Sequence, residues 1–469
     1  MKRSMLLIAM LGVCAAAGAQ TTRPADVRTF ELTPAAPPTP ALKYQLLFDD
    51  IGERRPGNAA LLYLDAILLM GPDTKDKALK ALDAYEAKDM RTFESLADSL
   101  QLPNVFDELD LAGRRETCDW QPPYREKGAY TLLPHLQHMI HGLARVVKVR
   151  ALRQIERGQA DDALTTLRLG YELGKNTGPE GVLISGLVSV GITSQMNDAL
   201  ARLMSRPECP NLYWALAEFP SAHGILRRSM DGERQWWAAA WPSFPGANKG
   251  QDLPIMAKVG APLSPDQWRS MFDYVWGLVS AGEGEKTPPR VDPVKEASPE
   301  TLRQAREEYA RVHHVAAGDA AKVDPIIILG EFYFRQYEIV FDETYKLRGL
   351  PYPELFKLAD DAAARAQKRS REQRGNPFLQ VILNLHKPAA SFALADRQLA
   401  ALTAVEAIRS YAAANAGKLP AKLQDVTETP VPENPMTARP FDYRVENGAA
   451  TLSDPDPDAP LAYTIRIRG

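Results

Sequence analysis

Three of the seven histidines of this chain fall close together, His135, His138 and His141 in the stretch LLPHLQHMIHGLAR. Two imidazoles three residues apart share a helix face and can hold one metal ion between them. A catalytic zinc site needs a third protein ligand and an outer shell that orients the rings. No HExxH, HxH or CxxC accompanies the histidines, and Arg145 and Lys148 stand on the same face. His138 and His141 therefore read as part of a polar helix face, with metal binding as the alternative, and no cofactor is expected.

Four other groups have side chains that could do chemistry or binding. Tyr213, Trp214, Trp236, Trp237 and Trp241 supply rings on which a sugar could stack, or a helical core could be built. Asp454, Asp456 and Asp458 alternate as calcium ligands do. Ala459 and Ile465, however, occupy the places where a calcium loop needs glycine and glutamate, so the run reads as a solvated turn. Cys118 and Cys209 remain after an amino-terminal signal is removed, and an even pair in an oxidising compartment predicts a disulfide. Gly181, Gly186 and Gly191 lack the strand and the Lys-Ser or Lys-Thr ending of a phosphate loop, and predict close helix packing instead. No Ser-His-Asp, Cys-His or paired-carboxylate signature is present, so the reading leans away from an enzyme.

The elements that must position these residues begin with an export signal. Met1 to Ser4 is basic, Met5 to Val13 apolar, and Ala17-Gly18-Ala19 small, which predicts a signal peptide over 1–19 and a mature protein starting at Gln20. A periplasmic or secreted location follows; acylation at Cys14 would instead give a lipoprotein, although Val13 is a poor neighbour for that chemistry. No later segment is long and apolar enough to span a bilayer. A net charge of -3 gives no field for nucleic acid. The expected partner is a protein or an envelope component.

Residues 20–40 are rich in Thr, Pro and Ala and read as a tether. A helical-hairpin body follows over 41–385, opened by a hairpin in which Asn58 caps AALLYLDAILLM. Pro134 starts a helix whose pattern runs unbroken to about Arg157, with Leu136, Met139, Ile140, Leu143, Val146 and Val147 on its apolar face. Residues 283–300, with their prolines and charges, read as a surface loop. Residues 386–469 form a small α+β module. In its long helix Leu402, Val405, Ile408 and Ala412 make up one half, and Thr403, Glu406 and Ser410 take the other. Asn447-Gly448 predicts a type I′ hairpin that places Tyr443 opposite Leu452 and Val445 opposite Ala450. Leu461, Tyr463, Ile465 and Ile467 alternate in a third antiparallel strand. The fold class is mainly α with this small carboxyl-terminal module.

Three resemblances rest on these residues. RVVKVRALRQIERGQADDALTTLRLGYELGK resembles a tetratricopeptide hairpin through Ala151, Gly158, Ala163, Leu167 and Gly170. Arg150, Gln154 and Lys175 depart from that pattern, and no further repeat follows. The last 75 or so residues are similar to the globular part of type II secretion pseudopilins, in AIRSYAAANAGKLPAKLQDV and ENPMTARPFDYRV. The pilin-type amino terminus is missing, so that likeness does not imply pilus assembly. The order of CDWQPPY, LLPHLQ, NLYWALAEFP and this tail also resembles a family of uncharacterised exported bacterial proteins, which implies no activity. The reading is thus an exported binding or scaffold component of the envelope. The alternative is a hydrolase of an envelope or extracellular polymer, with its site in the Trp-rich region.

Overall fold

The computed structural model describes residues 25–121, 134–178, 181–240, 263–282, 291–381, 385–456 and 459–468. These residues are mainly helical, with one four-stranded sheet and a two-stranded one. They divide into two compact units: residues 230–389, and residues 25–121, 134–229 and 390–468. Among the described residues no helix is long and apolar enough to cross a membrane.

The second unit starts with an element that the composition of 20–40 conceals. β1 (Asp26–Leu32) is a strand, so the tether expectation fails for these residues. β2 (Arg55–Asn58) and β3 (Arg115–Thr117) make the two-stranded sheet. Four helices lie between them in the chain: α1 (Ala59–Leu69), α2 (Thr74–Glu86), α3 (Met90–Ser99) and α4 (Pro103–Gly113). The Asn58 side chain accepts from the Ala60 N–H at 3.1 Å and so caps α1 as expected. The opening is nested rather than a simple hairpin, since α1 packs mainly on α4 while α2 pairs with α3.

α5 (Pro134–His138) runs into a single π-helical turn, Met139–Leu143, before α6 (Ala144–Glu156). The wider turn replaces the expected unbroken helix. It has a local cause: a π turn alters the backbone bonding, and the Ile140 carbonyl accepts from Gln195 Nε2 at 3.3 Å. Gly142 fits there because a Cβ would lie 2.8 Å from Met70 Cε. α7 (Ala160–Thr177) returns antiparallel to α6 through Gly158, whose φ of 70° is the left-handed conformation that glycine adopts freely. Ala151, Ala163 and Leu167 are all fully buried in this hairpin. α8 (Leu183–Met204) then packs along α7 and α6.

The sheet order is β1, β6 (Leu461–Ile467), β5 (Ala449–Asp454), β4 (Asp442–Glu446). The β4–β5 hairpin has the predicted register, Tyr443 opposite Leu452 and Val445 opposite Ala450, and Asn447 and Gly448 take φ of 51° and 77°. Tyr, Leu and Ile at alternate positions bury one face: Phe30, Leu32, Leu452, Tyr463 and Ile465 are at most 1% exposed. The module therefore has four strands where three were expected, because β1 adds in parallel to β6. The helix His386–Ala414 meets this sheet through Arg397, which bonds Asp454 at 2.7 Å and the Ala459 carbonyl at 2.6 Å. Its supposedly polar half is buried as well. Thr403, Glu406 and Ser410 face structure, not water.

The unit 230–389 has its own aromatic core of Trp268, Phe272, Tyr333, Phe334, Tyr337 and Phe378. Residues 283–290 of the expected surface loop lie outside the described residues. The rest is ordered into helices, because Pro293 and Pro299 sit at first helical positions and Asp292 and Ser298 cap the turns.

Candidate functional site

A groove of 580 Å³ opens in the second unit, along β1. One side is formed by Ala25 and the residues Asp26 to Phe30 of the strand. The other is formed by Tyr85 of α2, Glu156 of α6, Asp198, Ala201 and Arg202 of α8, and Ser205 and Arg206 just beyond it. Each wall follows from local structure. Among the described residues β1 is an edge strand, and none of them pairs with its outer side. α8 carries Asp198, Ala201 and Arg202, and Ser205 caps its end, at intervals of three and four, the spacing that puts side chains on one helix face.

The charged groups of the groove are tied to one another. Arg28 bonds Asp26 Oδ1 through Nε at 2.6 Å and Asp198 Oδ1 through Nη2 at 2.5 Å. Lys148 reaches Asp198 Oδ2 at 3.3 Å. The Tyr463 hydroxyl donates to Asp26 Oδ2 at 2.6 Å, and Gln398 Nε2 lies 3.4 Å from the same oxygen. Gln398 continues inward, accepting from Asn197, which accepts from the Tyr171 hydroxyl. At the other end Tyr85 donates to Glu156 Oε1 at 2.7 Å, and Arg206 pairs with Glu156 Oε2. Arg202 bonds Glu86 Oε1 at 2.6 Å and lies over the Tyr85 ring.

Electrostatics follow this geometry. Burial alone would push the Asp198 carboxyl up, but Lys148 and Arg28 together hold it below the usual carboxylate range. Burial pushes the Tyr85 phenol up, and its bond to Glu156 adds to the shift, so Tyr85 stays a neutral donor. The Tyr463 phenol is raised well above its usual value by burial and by Asp26.

Comparison with protein-family models, with curated proteins and with solved structures finds no match for this chain.

The residues singled out by sequence lie elsewhere. His138, half-buried, ends α5, and His141, exposed, is on the π turn; the side chain of His135 lies outside the described residues. Burial, Arg145 and Lys75 all push the His141 imidazole down, so it is neutral at pH 7. Among the described residues no group of three His, Cys, Asp or Glu gathers to hold a metal. Tyr213 belongs to a core with Ala407 and Val426, its hydroxyl donating to the Pro430 carbonyl at 2.6 Å, and Trp214 packs edge-on against it. Tyr213 is therefore not part of an open platform. Trp241 and the side chains of Trp236 and Trp237 lie outside the described residues.

The expected disulfide is not formed; Cys118 and Cys209 are both thiols. Cys209 is buried beside its own chain, with Sγ 3.2 Å from the Pro210 carbonyl, and burial with the nearby Glu406 pushes the thiol up. Cys118 follows β3, near Tyr63. Of the three aspartates at 454–458, Asp454 is buried against Arg397, which accounts for it without calcium; Asp458 is outside the described residues.

Asp26 and Arg28 were missed by sequence reasoning. A signal was there: DVRTFEL carries Val, Thr, Phe and Leu in a run bounded by Pro24 and Pro34, which is strand composition.

Proposed function

We propose that this chain is an exported binding or scaffold component of the cell envelope, and that the groove beside β1 is where it takes its ligand. The observation that carries this reading is the state of the groove's carboxylates. Both oxygens of Asp26, Asp198 and Glu156 already accept from a partner. A general acid or base needs a carboxyl within reach of substrate and tuned toward the working pH. Asp198 is shifted the other way, which supports recognition over proton transfer. On this reading the tetratricopeptide-like hairpin α6–α7 and the pseudopilin-like tail are the frame that holds the groove open.

Two measurements test the proposal. The amino terminus of the mature protein should begin at or near Gln20, and a chain retained with Met1 would remove the export half. A photo-reactive residue placed at Ser205 should give a discrete adduct with an envelope component, while the same residue at Glu300, on the other unit, should not. Release of soluble sugar or peptide from purified envelope polymer by the untreated protein would overturn the binding reading in favour of a hydrolase.

A further inference from the structure

We infer that the ligand of the groove is an extended polypeptide segment carrying acidic side chains, taken up as a fifth strand along the outer edge of β1. The inference rests on the groove being the binding site, and goes on to say how and what it binds.

The backbone directs it. The Asp26 N–H donates to the Pro460 carbonyl at 2.9 Å, and the Leu32 carbonyl accepts from the Arg468 N–H at 2.8 Å. In a strand the N–H and C=O of one residue point the same way and alternate from residue to residue. Asp26, Arg28, Phe30 and Leu32 therefore spend their backbone groups on β6. Val27 and Thr29 turn theirs to the opposite edge, where no strand follows among the described residues and the groove begins. Among the described residues neither of these outward pairs has a hydrogen-bond partner. Such an edge is a ready template for an incoming strand. A second copy's β1 does not fit, since that strand is itself walled by Arg202, Ser205 and Arg206. A single extended segment does.

The side chains choose its charge. The groove's carboxylate oxygens are all engaged, whereas its cations have capacity left. Arg202 and Arg206 each meet a carboxylate through one terminal nitrogen and are 39% and 36% exposed. A guanidinium carries five donors, so each has several to spare. Among the described residues the groove thus offers exposed guanidinium donors with no partner of their own, while each of its carboxylate oxygens already has one. A strand whose alternate side chains are carboxylates complements it; one bearing ammonium groups does not.

The probe is a fluorescent, end-blocked peptide alternating threonine and glutamate, matched to the seven residues of β1, titrated against the full mature protein. Binding is expected, with Val27 and Thr29 amide exchange slowed in the complex. Thr29→Pro should weaken it about ten-fold or more, the loss of one or more backbone bonds, and Thr29→Ala should not. Proline is tolerated there because the Thr29 N–H faces away from β6. A peptide N-methylated at alternate residues should lose binding to the unaltered protein, which keeps the test intact if Thr29→Pro folds poorly. The lysine version of the peptide should bind more weakly, and equal binding would overturn the acidic preference. If Thr29→Pro and N-methylation leave affinity unchanged while Ser205→Trp, which fills the groove, abolishes it, strand addition is wrong and the groove reading stands. Affinity insensitive to all three changes overturns both.

Discussion

Arg28 and Arg409 both join distant parts of the same unit to carboxylates, and they do so in opposite surroundings. Arg409 is sealed in the helix His386–Ala414, 0% exposed. Its Nε donates to the Thr33 carbonyl at 2.7 Å, Nη2 to the Cys209 carbonyl at 2.6 Å, and Nη1 to the Pro210 carbonyl and Glu406. Arg28 stands at the rim of an open groove, and its partners are two carboxylates. The difference sets their structural roles apart. Three neutral carbonyls and one buried acid make Arg409 a knot that pins the stretches around residues 33 and 210 to the helix. Arg28 instead makes partly exposed ion pairs at the edge of the groove.

Breaking the knot is expected to have the largest effect. Arg409→Met leaves Glu406 buried with no cation, and Glu406 Oε2 has no hydrogen bond even now among the described residues. A loss of about 3–5 kcal/mol is expected, the cost of breaking a buried pair from one side. Glu406→Gln, which leaves Arg409 with its three carbonyls, should cost less, about 1–3 kcal/mol. Urea denaturation of the two variants decides the order, and equal losses would mean the carbonyl bonds carry little. Next comes the hairpin turn of the same module. Gly448→Val forces a β-branched residue into positive φ, for about 1–3 kcal/mol. Because β1 joins the hairpin's sheet, thermal unfolding should show the change in the whole unit rather than in the tail alone.

How much of this was readable in advance divides along sequence distance. The hairpin register follows from two turn residues and the alternation beside them, and Asn58 announces its own helix. The groove does not follow. Asp26 and the Tyr463 hydroxyl that bonds it are 437 residues apart, and a strand with only three residues between it and Ala-Pro-Pro-Thr-Pro looks like a tether until its partner is known. The surroundings of Glu406 were hidden for a related reason. Helical periodicity separates an apolar half from a polar half, but it does not say that the polar half meets carbonyls instead of water. The cysteines failed likewise, since an even count states opportunity without stating distance.

The two arginine sites should also respond oppositely to pH, which sharpens the contrast. Asp198 ionises below the usual carboxylate range in the folded protein, so its contribution is present at neutral pH and is lost as pH falls through that folded value. Burial raises Glu406, and Arg409 only partly offsets it. A raised acid contributes fully below its unfolded value of about 4.3 and loses that contribution as pH rises through the folded one. Asp198→Asn should therefore flatten the loss of stability on the acid side, and Glu406→Gln the decline toward neutral pH. Urea midpoints across the acid to neutral range read both, and parallel pH profiles for the two variants would show that the sites are not distinct.

The smallest effect is expected from the histidines that first drew attention. His141 is held neutral by burial and by two cations, so a glutamine there removes no charge at pH 7 and keeps polarity and helix propensity. His138 is the last residue of α5, just before that π turn, whose Met139 and Leu143 are both fully buried. Replacing His138 and His141 by Gln together should change stability by no more than about 1 kcal/mol, since glutamine keeps the capacity of each to hydrogen-bond. A metal site would behave differently, because binding to the folded state alone adds stability that chelation removes. Protein purified without a polyhistidine tag should thus melt at the same temperature with and without chelator. Stoichiometric zinc lost in the double variant, with a matching drop in melting temperature, would move the functional centre from the groove beside β1 to the π turn.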